Sequence, residues 1–233
     1  RDFYAAPRPS PAGDRLAFLT LPKAESAADV ARFLDVLALE DARRGLGREI
    51  AVSVLVETHG AVRDAWAIAA LPGVASLDFG TLDFVSAHRG AIPAAAMESP
   101  GQFDHPLVRR AKCETAAAAL AHHRIPAHGI TRAIGDPQAV YDDARRAREE
   151  FGFLLRMSSI HPAQIDPILR AVQPDAAEID DSAGILAAAQ AADWAPLAIG
   201  GKMHDLASYR YHWSVLERAK AAGASVPALH PDD

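Results

Sequence analysis

Short runs, most of them continuously apolar, separated by helical stretches constrain this chain's fold most tightly. The first run, residues 16–21, is stopped by Pro22, and runs at residues 52–56, 76–79 and 125–130 follow, with a weaker one at 154–160. Strands with one face in water alternate apolar and polar residues, whereas strands buried on both faces stay apolar throughout, as in a parallel sheet. Between the runs lie amphipathic patterns. One starts at Ser26, a helix cap with Asp29 three residues on, continues through Val30, Leu34, Leu37 and Asp41, and closes at Gly45. Others span residues 62–71, 106–122 and 137–150. Strand–helix alternation of this kind predicts a parallel α/β architecture. No Gly-x-Gly-x-x-Gly follows any run, so a dinucleotide fold has no positive support. Beyond Pro162 helical patterns dominate, at residues 162–172, 176–192 and 206–222, and residues 197–203 carry Gly200-Gly201 as a hairpin or turn.

Bulk properties narrow the function classes. The chain of 233 residues carries a net charge of −6, which argues against a general nucleic-acid surface. An acidic chain that handles an acidic substrate must concentrate cations locally, through Arg, Lys or a metal. Cys113 is the only cysteine, so no internal disulfide forms, which fits a reducing, cytoplasmic compartment. No apolar run approaches the roughly 20 residues of a membrane span. Residues 1–14 are rich in Pro, Arg and Ala and read as a loop entering an existing domain rather than as a signal peptide.

Two run ends carry carboxylates: Glu57 follows residues 52–56, and Asp83 follows the run that ends at Phe79. In a barrel the C-terminal strand ends line the active site. Neighbouring strands lie about 4.8 Å apart, so two such carboxylates can grip one ion. Mg²⁺ suits that arrangement, because it takes one or two carboxylates and keeps its other positions for water and substrate oxygens. The alternative is that Glu57 pairs with a lysine and Asp83 caps the next helix. Lys23, after Pro22, reaches an anion at the barrel mouth or is a solvated strand-end lysine. The histidines are scattered without His-x-x-x-His spacing, which argues against zinc. His122-His123 reads as a solvated helix end.

Five segments in order then resemble a known family. Leu21-Pro22-Lys23-Ala24-Glu25-Ser26 resembles its Leu-Pro-Lys-x-Glu-Ser, and Val56-Glu57-Thr58 with Gly60 its Ile-Glu-Thr-x-x-Gly. Phe79-Gly80-Thr81-Leu82-Asp83-Phe84 is similar to Phe-Gly-x-x-Asp-Leu. Ser159-Ile160-His161-Pro162-Ala163-Gln164-Ile165 resembles Ile-His-Pro-x-Gln-Ile, and Gly201-Lys202-Met203-His204-Asp205 resembles Gly-x-Met-Ile-Asp. The family is the HpcH/HpaI aldolase and citrate lyase β-subunit superfamily. The C-terminal arm and the Ile-His-Pro motif favour its citryl-, malyl- and citramalyl-CoA lyase side.

The resemblance implies a (β/α)₈ TIM barrel of the phosphoenolpyruvate/pyruvate type, here lacking the first three βα units. Residues 1–172 would form strands four to eight, and residues 173–233 a helical arm. It implies that Glu57 and Asp83 bind Mg²⁺, that Lys23 contacts substrate, and that Asp205 enters a neighbour's site as an acid/base group in a homotrimer or a multiple of it. The reaction implied is cleavage or formation of a carbon–carbon bond in a 3-hydroxyacyl-CoA, giving an acyl-CoA and a 2-oxo acid through an enolate whose charge needs electrostatic stabilisation. A 2-oxo-acid aldolase without CoA, or a non-catalytic binding or assembly subunit, are the competing readings. This chain departs from the pattern in three places, the first being the missing units, which in the family hold an early acidic motif and a substrate-gripping arginine on the third strand. Arg156-Met157-Ser158 stands where the family has Gly-Lys-Trp, and His204 stands where it has Ile.

Overall fold

The computed structural model describes residues 16–45 and 49–227; the entry loop expected at residues 1–14 lies outside them. Contacts divide the chain into two units, Arg1–Ile168 and Leu169–Asp233.

The first unit is built on five parallel strands in chain order: β1 (Phe18–Leu21), β2 (Ala51–Val56), β3 (Val74–Phe79), β4 (Ile125–His128) and β5 (Arg156–Met157). Each strand pairs with the next in parallel, with Leu21 opposite Val54, Val54 opposite Leu77, Leu77 opposite Pro126 and His128 opposite Met157. Val52, Val54, Val56, Leu77 and Phe79 are fully buried, as continuous apolar runs require. The weak run at 154–160 yields only a two-residue strand.

Helices connect the strands. α1 (Ala27–Arg44) starts where the Ser26 hydroxyl accepts from the Asp29 N–H at 3.2 Å and stops at Gly45, whose φ of 63° only glycine adopts without strain. The helix expected over residues 62–71 is two pieces, α2 (His59–Arg63) and α3 (Ala65–Ala70), broken at Asp64. Asp64 turns its carboxylate to the Ala27 N–H, 3.1 Å away, and so ties the break to the start of α1. α4 (Thr81–Ala87) follows β3 directly. α5 (Gly101–Asp104) and α6 (Pro106–Ala121) precede β4, and α7 (Pro137–Phe151) precedes β5. Asp136 caps α7, Pro137 occupies its first turn, and Gly152 ends it in the left-handed region. α8 (Ile165–Val172) spans the division between the units.

The second unit holds α9 (Ala176–Ala191), a hairpin of β6 (Leu197–Ile199) and β7 (Lys202–His204), and α10 (Leu206–Ala221). Gly200 and Gly201 both have positive φ, as the tight hairpin turn demands. Ile185, Leu186, Ala189, Tyr209 and Leu216 form this unit's own core. No helix of the described residues is long and apolar enough to cross a membrane.

Candidate metal centre

The loops after β1, β2 and β3 are locked together before any charged group is placed. Thr58 caps α2 by accepting from the Ala61 N–H, and its own hydroxyl donates to the Ala24 carbonyl at 2.6 Å. Gly60 lies so close to the Glu25 backbone that a Cβ would sit 1.9 Å from its carbonyl oxygen. Two of the sequence motifs therefore meet through backbone contacts that their Thr and Gly make possible. Lys23 sits at φ 54°, a turn that aims its N–H at Glu57 Oε1, 2.9 Å away.

Glu57 emerges from the end of β2 with 4% of its surface exposed. Its side chain lies across Gly80, where a Cβ would meet Glu57 Oε2 at 2.5 Å. Asp83 lies in the first turn of α4, and its Oδ1 takes the Lys23 ammonium at 2.5 Å. Burial raises the pKa of Glu57, the Lys23 N–H lowers it in part, and the nearby Asp83 carboxylate raises it again. The hydrogen bond to Asp83 raises the Lys23 pKa. Lys23, Glu57 and Asp83, the three residues expected at strand ends of the first unit, thus converge on one cluster. Neither open alternative holds as stated: the Lys23 ammonium pairs with Asp83 while Glu57 takes only the Lys23 backbone N–H, and α4 has no side-chain cap.

The donor set fits magnesium. Two carboxylates crowd one another at a point where one is nearly buried, a situation that a cation relieves without protonating either, and the Lys23 ammonium already fills part of that role. The Thr81 hydroxyl, next to Gly80, is buried with no hydrogen-bond partner among the described residues. No group of three or more His, Cys, Asp or Glu converges among the described residues. Magnesium needs no such group, because it keeps most of its shell for water and substrate.

Below this cluster on the same face of the sheet lies a polar layer that the sequence did not disclose. The Ser76 hydroxyl meets Ser53 Oγ at 2.7 Å and Asp78 Oδ1 at 2.9 Å, all three side chains being buried. Arg156 reaches Ser76 Oγ at 3.1 Å and Asp78 at 3.6 Å, and stacks on Phe18 with 4.1 Å to the ring centroid. A second hidden network surrounds Lys112, which is fully buried. Its Nζ lies 2.7 Å from His128 Nε2 and 3.9 Å from the Phe103 ring centroid. Gln102 links it to Asp143, which also takes hydroxyls from Ser99 and Thr131. One signal was present: Lys112 falls on the buried stripe Val108, Thr115 and Ala119 of α6.

The remaining motifs have structural jobs. His161 Nδ1 accepts from the Ala163 N–H at 3.1 Å. Gln164, 1% exposed, donates to the Thr131 and Ala133 carbonyls and so bolts the loop after β5 to the loop after β4. Asp205, in the second unit, caps α10 by accepting from the Ala207 and Ser208 N–H groups at 3.0 and 3.3 Å.

The first unit is thus a parallel α/β sheet with two carboxylates and a lysine gathered at neighbouring C-terminal strand ends. Neither family models nor curated proteins match the chain. Solved structures do. A citrate lyase from Burkholderia xenovorans LB400 is 50% identical with a TM-score of 0.86, over 91% of this chain and 66% of that one. Protein CitE from Mycobacterium tuberculosis, solved with magnesium, acetoacetate and coenzyme A, is 25% identical with a TM-score of 0.70, over 88% of this chain and 68% of that one. A citrate lyase β subunit from M. tuberculosis with oxaloacetate and magnesium is 25% identical with a TM-score of 0.54, over 68% of this chain and 62% of that one. The chain thus spans about two thirds of the length of these relatives. It belongs to the citrate lyase β-subunit, CitE-like proteins of the HpcH/HpaI superfamily, and its sheet is that of their TIM-barrel fold.

Proposed function

We propose that the protein is a Mg²⁺-dependent carbon–carbon lyase acting on a citryl-, malyl- or citramalyl-CoA type of 3-hydroxyacyl-CoA, with Glu57 and Asp83 as the metal ligands. The observation that carries this reading is the convergence of Glu57, Asp83 and Lys23 at neighbouring strand ends, in a family whose solved members hold magnesium with coenzyme A or a 2-oxo acid. When bound, the ion supplies Lewis-acid stabilisation of negative charge on substrate oxygens.

The chain's own residues do the rest. Glu57 stays anionic against its burial once a cation faces it, and Gly80 gives its carboxylate the room to turn. Glu57 and Asp83 would hold the ion, and the Lys23 ammonium, which now sits on Asp83, would then be free to face an anionic substrate group. Asp205 serves as the acid/base group, carried by the segment from residue 173 onward into the site of a second copy, which makes the working form a homotrimer or a multiple of it. Asp205 must then leave its cap bonds or share them.

The test is a cleavage assay of the full-length protein on malyl-, citramalyl- and citryl-CoA, with and without Mg²⁺, beside the corresponding CoA-free acids. Turnover of at least one thioester, abolished by chelation, is expected. Turnover of the free acids alone would transfer the site to a CoA-independent aldolase, and none on any substrate would leave a binding or assembly subunit. Asp205→Asn separates cap from catalyst. Asn caps about as well as Asp, so the melting temperature should hold, while the rate falls by roughly 10²–10⁴, as for a lost general acid or base.

A further inference from the structure

The first unit carries a groove that the strand-end cluster does not use. It has a volume of about 440 Å³ and is walled by α2 and α3 on one side, α4 on another and α6 on the third. That is within the usual range for small-molecule sites, roughly 300–1,000 Å³. Neither Lys23, Glu57 nor Asp83 lines it.

Its chemistry is two-sided. The apolar side is Trp66, 47% exposed, with Leu107, 42% exposed, and the buried Phe84. The Trp66 indole N–H points to Glu114 Oε2 at 3.5 Å, which orients the ring. The cationic side is Arg63 and Arg110. Arg63 donates through Nε to its neighbour Asp64 at 2.7 Å, which leaves its two terminal nitrogens for a ligand. Arg110 makes no hydrogen bond or ion pair with any described residue. Two imidazoles close the groove's end, with the His59 and His88 ring centroids 4.2 Å apart. His88 Nδ1 is 2.7 Å from the Phe84 carbonyl, which can only accept, so this nitrogen carries the proton and the ring is held in place. Glu114 is the one acid lining the groove, in a chain whose net charge is −6.

We propose that this groove binds a small aromatic anion, with its ring on Trp66 and Leu107 and its phosphate or carboxylate on Arg63 and Arg110. A guanidinium fork matches both oxyanions in bidentate geometry, and an exposed indole offers the flat face a planar ring needs. A bare oxyanion would leave the apolar wall and most of the volume unfilled, and a neutral ring would leave Arg110 without a counter-charge. A nucleotide and an aromatic carboxylate share this chemistry, and the experiment distinguishes them.

Isothermal titration of the full-length protein with ADP and with 1-naphthoate, beside adenosine and inorganic phosphate alone, tests the proposal. At least one of the two aromatic anions should bind saturably, and at least tenfold more tightly than either half-ligand. Tighter ADP identifies a nucleotide site, and tighter naphthoate an aromatic-carboxylate site. Arg110→Glu, an exposed change on α6, should weaken that ligand at least tenfold, and Trp66→Leu at least fivefold. Failure of the unmutated protein to bind either anion, or binding that survives both substitutions unchanged, would overturn the assignment.

Discussion

The first unit holds two lysine–carboxylate arrangements that behave in opposite ways. At the strand ends Lys23 is exposed, its ammonium sits on Asp83, and that contact raises its pKa. In the helix layer Lys112 is enclosed by Phe79, Phe103 and Phe151, and burial lowers its pKa to about 7. The Asp143 carboxylate is linked to it through Gln102 and is already satisfied by Ser99, Thr131 and Gln102. His128, whose Nδ1 faces the Gly129 carbonyl, is held well below its ordinary pKa by burial and by Lys112, so it presents a neutral Nε2 to the lysine. The difference is one of solvent. Where water remains, a direct charge partner decides the protonation state; where it is excluded, desolvation outweighs a partner one residue removed. The open cluster keeps its lysine charged and in water, and the closed one serves to join α5, α6, α7 and β4.

The largest effect that separates the two regions is a pH dependence. The folded chain releases the Lys112 proton near pH 7 and the unfolded chain near 10.5. Between those values the unfolded state binds more protons, so stability rises with pH across that window. Below it both states are protonated and the burial penalty stands in full. Lys112→Met removes the penalty. Its stability relative to the parent protein should be greatest at about pH 6 and decline by on the order of 4 kcal/mol toward about pH 10. Urea denaturation at a series of pH values reads this, and a difference independent of pH would mean that Lys112 titrates normally.

A smaller effect belongs to the open cluster. Gly80→Ala places a Cβ 2.6 Å from Glu57 Cβ, a contact no flexible chain end can relieve. The substitution should cost about 1–3 kcal/mol by overpacking and weaken divalent-ion binding roughly 10–100-fold by moving a ligand's support. Calorimetric melting and a metal titration on one sample give both numbers. Loss of stability without loss of ion affinity would detach Gly80 from the site.

The same contrast explains what was legible in the sequence. The strands at 51–56, 74–79 and 125–128 follow from short, mostly apolar runs of the kind a sheet covered on both faces carries, with Ser53, Ser76 and Asp78 as buried polar interruptions. Glu57 stood out because it comes directly after such a run, near a sheet edge or a barrel mouth, and Asp83 because it lies just past the end of the next one. Lys112 was silent, since a lysine in an alanine-rich helix reads as solvated unless its place on the buried stripe is weighed. Arg156 was flagged only as a departure from the family's lysine, and its partners Ser76 and Asp78 lie 80 and 78 residues earlier. The break at Asp64 was missed because apolar spacing carries through it; what ends α2 is a tertiary bond to Ala27 that no local pattern encodes.

The central claim is that Glu57 and Asp83 hold a divalent cation, and direct titration with Mn²⁺ followed by electron paramagnetic resonance tests it without any assumption about substrate. The unmutated protein should bind the ion at a single site from which Mg²⁺ displaces it. Glu57→Gln, which keeps the side chain's shape but removes its charge, should lose that site while its melting temperature rises by a degree or more, because burial of the charged carboxylate is itself unfavourable. Undiminished Mn²⁺ binding by the Gln variant, or no binding by the parent protein, would contradict the account.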